Sequence, residues 1–478
     1  MLFNSLDFAV FLPAVFILYW FVCARNLRLQ NLLIVIASYF FYACWDWRFL
    51  SLILISTIVD YAVGLALWRE EGRLERKTLL WVSIGANLGM LGFFKYYNFF
   101  LQNFIEAFSL FGIPIPANSL NIVLPAGISF YTFQTLSYSL DIYKRKLKPT
   151  KDFIAFAGFV SFFPQLVAGP IERAANLLPR FTTKRKFDYS RAADGMRQIL
   201  WGLFKKVVIA DNCAEYVNLV FNDPSAHSGS TLALGAIFFA FQIYGDFSGY
   251  SDIAIGTARL FGFDLMQNFA FPYFSRDIAE FWRRWHISLT TWFRDYLYIP
   301  LGGSRGSVGN KIRNTFVIFI VSGFWHGANW TFIIWGALNA LYFLPLLLAG
   351  RNRQNLDTVA QGNWLPSARE TLQMLLTFGM TVLAWICFRA ESVGQAIQYI
   401  EGIFQTSLTT FPDVFPIHVL IGIVVVVLVE WIHREKQHGL QLDPNVTPRP
   451  LRWGIYMILS FLVAFFMGEP NPFIYFQF

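Results

Sequence analysis

The sequence predicts an all-α, polytopic integral membrane protein, and three observations carry that prediction. Of the 478 residues 56% are hydrophobic and 19% aromatic, while only 14% are charged. With a mean hydropathy of +0.46, this lies outside the range of ordinary soluble domains. Apolar runs of roughly 20 residues, the length that crosses a bilayer as a helix, recur along the chain. Lys and Arg gather in alternate connections, so the net charge of +8 reads as topology and anionic lipid surfaces rather than affinity for nucleic acid.

The first run, 6–23, contains Asp7 near its start and has its positive flank, Arg25 and Arg28, behind it. A cleavable signal would have the reverse order, and the positive-inside rule places the amino terminus outside. Further runs follow at 29–44, 49–68, 79–100 and 121–141, after which the chain is inside. The run 153–169 lies between two basic flanks, 144–151 and 173–191, and contains Pro164, Gly169 and Pro170. Two inside flanks imply a re-entrant segment, and a broken backbone is tolerated at that depth only where protein or a water-filled cavity surrounds it. After 196–210, the connection 211–230 lacks Lys and Arg and reads as outside, and 231–247 returns. The 37 residues of 314–350 suffice for two crossings, and 372–388, 417–433 and 453–467 complete about twelve. Both termini are then expected outside, in one domain spanning residues 1–478. Cys23, Cys44, Cys213 and Cys387 form no CxxC, so neither a zinc site nor a disulfide framework is indicated.

The chemistry concentrates between Pro272 and Gly336, where Trp285-His286 and Trp325-His326 occur. His326 lies in VSGFWHGANWTFIIWG, which has no formal charge, and an ionisable group at membrane depth marks a substrate path or reaction centre. On a continuous helix Ser322, Asn329 and Trp330 share its face, and a hydrogen bond from Ser322 or Asn329 would fix its tautomer. Gly323 and Gly327 form a GxxxG, which favours close approach of another helix or a thin ligand.

Upstream, YGDFSGYSDIAIG sets Asp246, Ser248, Tyr250 and Asp252 at a membrane border. This reads as an ion or proton site, a tunnel lining, or a glycine-broken helix whose polar groups satisfy one another. Residues 281–296 have an aromatic arc opposite a charged one, as in an interfacial helix, with His286 at the border. The cations Arg283, Arg284, Lys205, Lys206 and Arg305 suit either anionic lipid headgroups or the phosphates of a nucleotide-like donor. Residues 302–306 match GxSxG without the strand that a nucleophile elbow needs. With no HExxH or HxxxH, no metal site is expected.

Taken together, NFAFPYFSRDIAEFWRRWHISLTTWFRDYLYIPLGG and GFWHGANWTFIIWG, with GISFYTFQTLSYSLDIY, FPQLVAGPI and YGDFSGYSDIAIG upstream, resemble the membrane-bound O-acyltransferase family along nearly the whole chain. Within it the likeness is greatest to bacterial alginate O-acetyltransferase membrane subunits, including the ending PFIYFQF. The resemblance implies a helical enzyme around a central tunnel in the bacterial inner membrane. His326 corresponds to the essential histidine and His286 to the second characteristic one. It further implies acetyl-CoA as donor substrate with no bound cofactor. Delivery of acetyl towards a secreted polysaccharide, alginate or cellulose, would involve a periplasmic serine esterase-like acetyltransferase and the synthesis and export machinery. Acylation of peptidoglycan or teichoic acid is the alternative within the family. A proton-coupled transporter using His326, Asp246 and Asp252 is the alternative outside it. The tail GEPNPFIYFQF resembles the aromatic ending of the small partner protein of teichoic acid D-alanylation, which makes Tyr475 a candidate acyl relay; the alternative is a tail that plugs the bundle or docks the periplasmic partner.

Overall fold

The computed structural model describes residues 1–111, 119–167, 169–443, 445–468 and 473–474, and all regular structure among them is helical. Long apolar segments with few breakers leave the backbone no partner but itself, and in lipid only helices satisfy every N–H and C=O within one segment. Among the described residues, five helical stretches are long and apolar enough to cross a membrane: Leu27–Arg69, Arg73–Ser109, Gly229–Leu260, Trp330–Leu348 and Ala368–Arg389. Shorter apolar stretches cover Leu6–Val22, Phe153–Leu166 and Ile417–Ile432. The chain divides into two compact units, one of residues 1–192 with 257–265 and the other of residues 193–256 with 266–478.

The first unit holds α1 (Leu6–Ile17), α2 (Leu27–Asp46), α3 (Leu50–Arg69), α4 (Arg73–Leu91), α5 (Tyr97–Ser109), α6 (Ile128–Tyr143), α7 (Phe153–Ser161), α8 (Phe163–Leu166) and α9 (Ala174–Thr182). Polar side chains start several of them: Ser5, Asn26 and Asp152 each accept a backbone N–H of the first turn, the role for which these residue types are selected. The expected break at 153–169 is present between α7 and α8, and Phe156, Phe159, Phe162 and Phe163 around it are fully buried. Neighbouring side chains satisfy the broken backbone: Ser38 Oγ accepts from Phe163 N–H at 3.0 Å, and Gln134 Nε2 donates to the Phe159 carbonyl at 2.5 Å. Asp60 is held by Ser83 Oγ, Asn87 Nδ2 and Ser139 Oγ at 2.5, 2.7 and 2.6 Å, which ties α3 to α4 and α6.

The second unit contains most of α10 (Tyr189–Leu203), α11 (Asp211–Asn222), most of α12 (Gly229–Leu260), α13 (Ile278–Arg284), α14 (Ile287–Phe293), α15 (Val308–His326), α16 (Trp330–Leu348), α17 (Ala368–Arg389), α18 (Val393–Ile403), α19 (Ile417–Ile432) and α20 (Arg449–Phe465). Three sequence expectations are corrected here. The connection 211–230 is helical as far as Asn222, because α10 continues through a π-helical stretch, Phe204–Ala210, into α11. Second, α12 runs unbroken through the glycines of YGDFSGYSD. They serve helix contact instead: a Cβ on Gly249 would stand 2.7 Å from the Gly202 carbonyl oxygen, and one on Gly245 would stand 2.9 Å from that of Lys205. Third, 281–296 is two short helices rather than one. The expected pair of helices within 314–350 is present as α15 and α16, and a Cβ on Gly323 would lie 2.2 Å from the Phe332 carbonyl oxygen, the close approach the small-residue spacing predicts.

Candidate active site

The two short helices meet at Trp285 and His286, and His286 adopts a left-handed backbone with φ 43° and ψ 53°. Such a conformation costs a non-glycine residue roughly 1–3 kcal/mol, and it persists where the surroundings determine it. Backbone pairing supplies that support: Ala270 N–H donates to the Arg284 carbonyl at 2.9 Å, and Ile287 N–H donates to the Asn268 carbonyl at 2.9 Å. The segment 268–270 thereby grips the kink on both sides, and the His286 ring is buried, at 1% exposed.

The other histidine is positioned by a helix end. α15 stops at His326 because Gly327 is extended (φ −161°, ψ 151°), and α16 starts at Trp330 with Asn329 as its cap. The His326 ring is ringed by aromatic side chains, with centroids of Trp325, Trp335 and Phe388 at 4.9, 5.2 and 5.3 Å. His286 comes to 6.5 Å from it, centroid to centroid. Both imidazoles line one cavity of about 500 Å³, together with Ser322, Trp282, Trp285 and Phe319. Two imidazoles on one cavity are the kind of side chain from which acid–base catalysis is built.

Cations, amides and hydroxyls also line this cavity: Arg283, Arg294, Asn352, Arg353, Tyr298 at the end of the π-helical segment Arg294–Tyr298, and Ser304 in the loop after it. A loop following α16 is clamped over α13. Arg283 donates to the Asn352 and Asn355 carbonyls at 2.9 and 2.7 Å, and Arg276 donates to Asp357 Oδ1 at 2.8 Å. That contact holds the Asp357 carboxyl below the usual carboxylate range, while burial lowers the Arg283 guanidinium from its ordinary value. Arg284 binds Glu280 and the Asp357 carbonyl instead, and Arg305 is an exposed residue beside Ser304.

Several sequence expectations fail at this point, each for a physical reason. Lys205 and Lys206 do not join the arginines; they are 3% and 1% exposed, buried in ion pairs. Lys205 Nζ lies 2.8 Å from Asp252 and 3.7 Å from Glu430, and Lys206 Nζ lies 2.7 Å from both Asp211 and Asp246. Asp246 and Asp252 are thus counter-ions away from the imidazole cavity. Asn329 caps α16 and donates to the Glu391 carbonyl at 2.9 Å, so it does not fix the His326 tautomer. Trp330 is 53% exposed; both residues leave the His326 face because the helix ends first. Tyr475 lies outside the described residues. Phe473 and Ile474 just before it are buried, and Ile474 N–H donates to Asp246 Oδ2 at 2.6 Å.

Sequence reasoning missed Asn268, Glu430 and the Asn352–Arg353 loop. Glu430 left a signal, as the sole charge in the apolar run of α19; Asn268 left none, because its position depends on a kink that periodicity does not encode.

Comparison with known proteins sets this geometry in a family. The model of the membrane-bound O-acyltransferase family matches residues 44–384. The chain is 40% identical to the probable alginate O-acetylase AlgI of Pseudomonas aeruginosa over 408 residues, 85% of this chain and 75% of that protein. It is 36% identical to the peptidoglycan O-acetyltransferase of Helicobacter pylori, over 84% of this chain and 79% of the relative. Similarity to the teichoic acid D-alanyltransferase of Bacillus subtilis is lower, 27% over 57% of this chain and 70% of that one. The chain is therefore a multi-pass member of the membrane-bound O-acyltransferase family, an enzyme that transfers an acyl group to oxygen.

Proposed function

We propose that this protein is a membrane O-acetyltransferase that carries acetyl from a cytoplasmic thioester donor, acetyl-CoA, across the inner membrane for O-acetylation of a secreted polysaccharide such as alginate or cellulose. The observation that carries the reading is that His286 and His326 face one cavity. The identities to relatives named for alginate and peptidoglycan acetylation support acetyl as the group moved. In this reading His326 takes the proton of an acceptor hydroxyl, whose oxygen attacks the thioester carbonyl; the C–O bond forms, the C–S bond breaks, and the departing thiolate receives the proton. No metal is needed, since a thioester is already activated and the barrier falls by positioning and base catalysis. Arg283, Arg294 and Arg353 at the cavity offer charge-assisted contacts to donor phosphates. In this reading both termini face the periplasm, which the Arg25 and Arg28 flank behind the first apolar run supports for the amino terminus, and a serine esterase-like acetyltransferase and the polysaccharide machinery receive the acetyl group there.

Tyr475 is the proposed carrier between donor and partner. The support is the seating of Phe473 on Phe247 and Tyr250, at ring-centroid distances of 5.6 and 4.6 Å, since Phe247 also touches His286 at 4.6 Å. Tyr475→Phe removes only the phenolic oxygen. Loss of polymer acetylation with normal assembly, together with an acetyl mass on Tyr475 in the wild type, is expected; near-normal acetylation eliminates the carrier. A second reading, acetylation of peptidoglycan, is favoured by the Helicobacter relative. Mass analysis of the extracellular polymer and the muropeptides from cells with and without the gene decides between them.

A further inference from the structure

Behind the imidazole cavity, and absent from its lining, stands Asn268, which is fully buried. It meets the His286 kink with its backbone and its side chain. The backbone carbonyl accepts from Ile287 N–H at 2.9 Å. The side-chain Oδ1 accepts from Ser288 N–H at 3.3 Å and from Ser288 Oγ at 2.8 Å, while Nδ2 donates to Ser251 Oγ on α12 at 3.1 Å. A backbone N–H can only donate, so the amide atom facing it is the oxygen. His286 Nδ1 lies 3.0 Å from that same oxygen. The oxygen carries no hydrogen, so the hydrogen of this contact belongs to Nδ1.

We propose that Asn268 is a positioning residue for the acyl transfer: it locks the His286 ring across the strained kink and fixes its Nδ1–H tautomer, so that Nε2 is the nitrogen with a lone pair for the reacting groups. The inference rests on the proposed reading that acyl transfer takes place in the cavity that His286 and His326 line. Which ring nitrogen carries the proton is set by the partner of the other, and a ring in the wrong tautomer presents a donor where an acceptor is required. Ser251 on α12 and Ser288 on α14 hold the amide from both sides, so the setting does not depend on solvent.

The test uses the full chain in lipid vesicles with ¹⁵N-labelled histidine, the His286 signals being assigned by their loss in His286→Gln. Protonated Nδ1 and unprotonated Nε2 are expected in the wild type without substrate. Asn268→Leu, which keeps the backbone carbonyl and the volume but removes the acceptor, is expected to give mixed tautomers. With acetyl-CoA as probe, Asn268→Leu is expected to lower kcat by about 100-fold at little-changed KM. Asn268→Asp retains an oxygen opposite Nδ1–H; it is expected to keep that tautomer and most of the rate, with the acid limb of the pH profile moved to higher pH. A protonated Nε2 in the wild type overturns the proposal, as does an unchanged tautomer in Asn268→Leu or an unmoved acid limb in Asn268→Asp. Should the wild type leave acetyl-CoA intact, the acyl-donor reading fails, while the nitrogen signals still decide the tautomer.

Discussion

His326 and Lys205 are buried to the same degree, each 3% exposed, on apolar stretches of the same unit, yet their surroundings differ in kind. His326 borders a cavity of about 500 Å³ and is ringed by aromatic side chains. Lys205 is enclosed by Asp252, Glu430 and Ser248, with Ser248 Oγ 2.8 Å from its Nζ. An imidazole can shed its charge near neutral pH, so it tolerates an apolar wall beside open space. An ammonium at that depth is sustained by counter-ions, since isolated buried charge is prohibitively costly. Burial alone therefore does not identify a reactive group; access to a cavity does.

The largest effect that would break the comparison is on activity. His326→Ala is expected to lower acetyl transfer from acetyl-CoA by about 10²–10⁴-fold, the range for removing a general base, with an unchanged unfolding temperature. Retained turnover in that variant would remove His326 from the chemistry. Lys206→Met is expected to do the opposite. It leaves Asp246, buried and bonded to Ile474 N–H, without its cation, and breaking one side of a buried pair costs about 3–5 kcal/mol. Thermal unfolding in detergent should show that loss, and adding Asp246→Asn should recover most of it by removing the orphaned charge while keeping the contact to Ile474. A Lys206→Met protein as stable as the wild type would contradict the assignment of this pair to structure.

A smaller effect sharpens how the histidine is placed. Gly323→Ala puts a Cβ where 2.2 Å separates it from the Phe332 carbonyl oxygen, and overpacking of that kind costs about 1–3 kcal/mol. Because α15 ends at His326, the same shift should move the ring and lower turnover beyond the loss of stability. Equal stability and turnover would mean that α15 and α16 slide freely.

These effects fall where the sequence was readable to different degrees. Helices were legible because apolar length and charged flanks are local properties, and α2, α3, α17 and α19 fall where the runs predict them. The two histidines were legible because a titratable residue stands out in a charge-free or aromatic run. Lys205 and Lys206 group with the arginines when only charge is read, whereas the π-helical continuation into α11 carries both into the unit, next to α12. Asn329 was misplaced because the helical spacing was extended past Gly327, where the backbone turns extended. What pairs with what across distant helices is decided by packing, and a single sequence does not encode that locally.

Arg283 tests the mouth of the cavity. It lines the cavity and also holds the loop through the Asn352 and Asn355 carbonyls. Arg283→Ala is expected to weaken the apparent affinity for acetyl-CoA by about tenfold, the scale of one charge-assisted contact, with kcat affected less. An unchanged affinity would reserve the arginine for the loop and for lipid headgroups.

The smallest expected effect is the acid sensitivity of that loop. Arg276 and Asp357 meet at 2.8 Å, and the Asp357 side chain is 56% exposed. The hydrogen bond from Arg276, followed by its charge, lowers the Asp357 carboxyl below its ordinary value. A depressed folded-state value means that the carboxylate stabilises the clamp at pH above its unfolded value, about 3.9, and that this contribution fades as the pH falls through the folded one. The half-exposed position makes the effect small and salt-dependent. Hydrogen exchange at Asn352 to Leu356 should accordingly be flat from neutral pH down to about 5, after correction for intrinsic rates, and rise only below about 4. Asp357→Asn should show the raised exchange at neutral pH, and added salt should narrow the difference from wild type. The ion pairs of Lys206 with Asp211 and Asp246, buried at 2.7 Å, should show no such salt response, since charges out of reach of the ionic atmosphere are screened much less. Exchange near the Arg276 clamp that ignored both pH and salt would mean that the backbone contacts of Arg283 and Arg284 hold the loop without the aspartate.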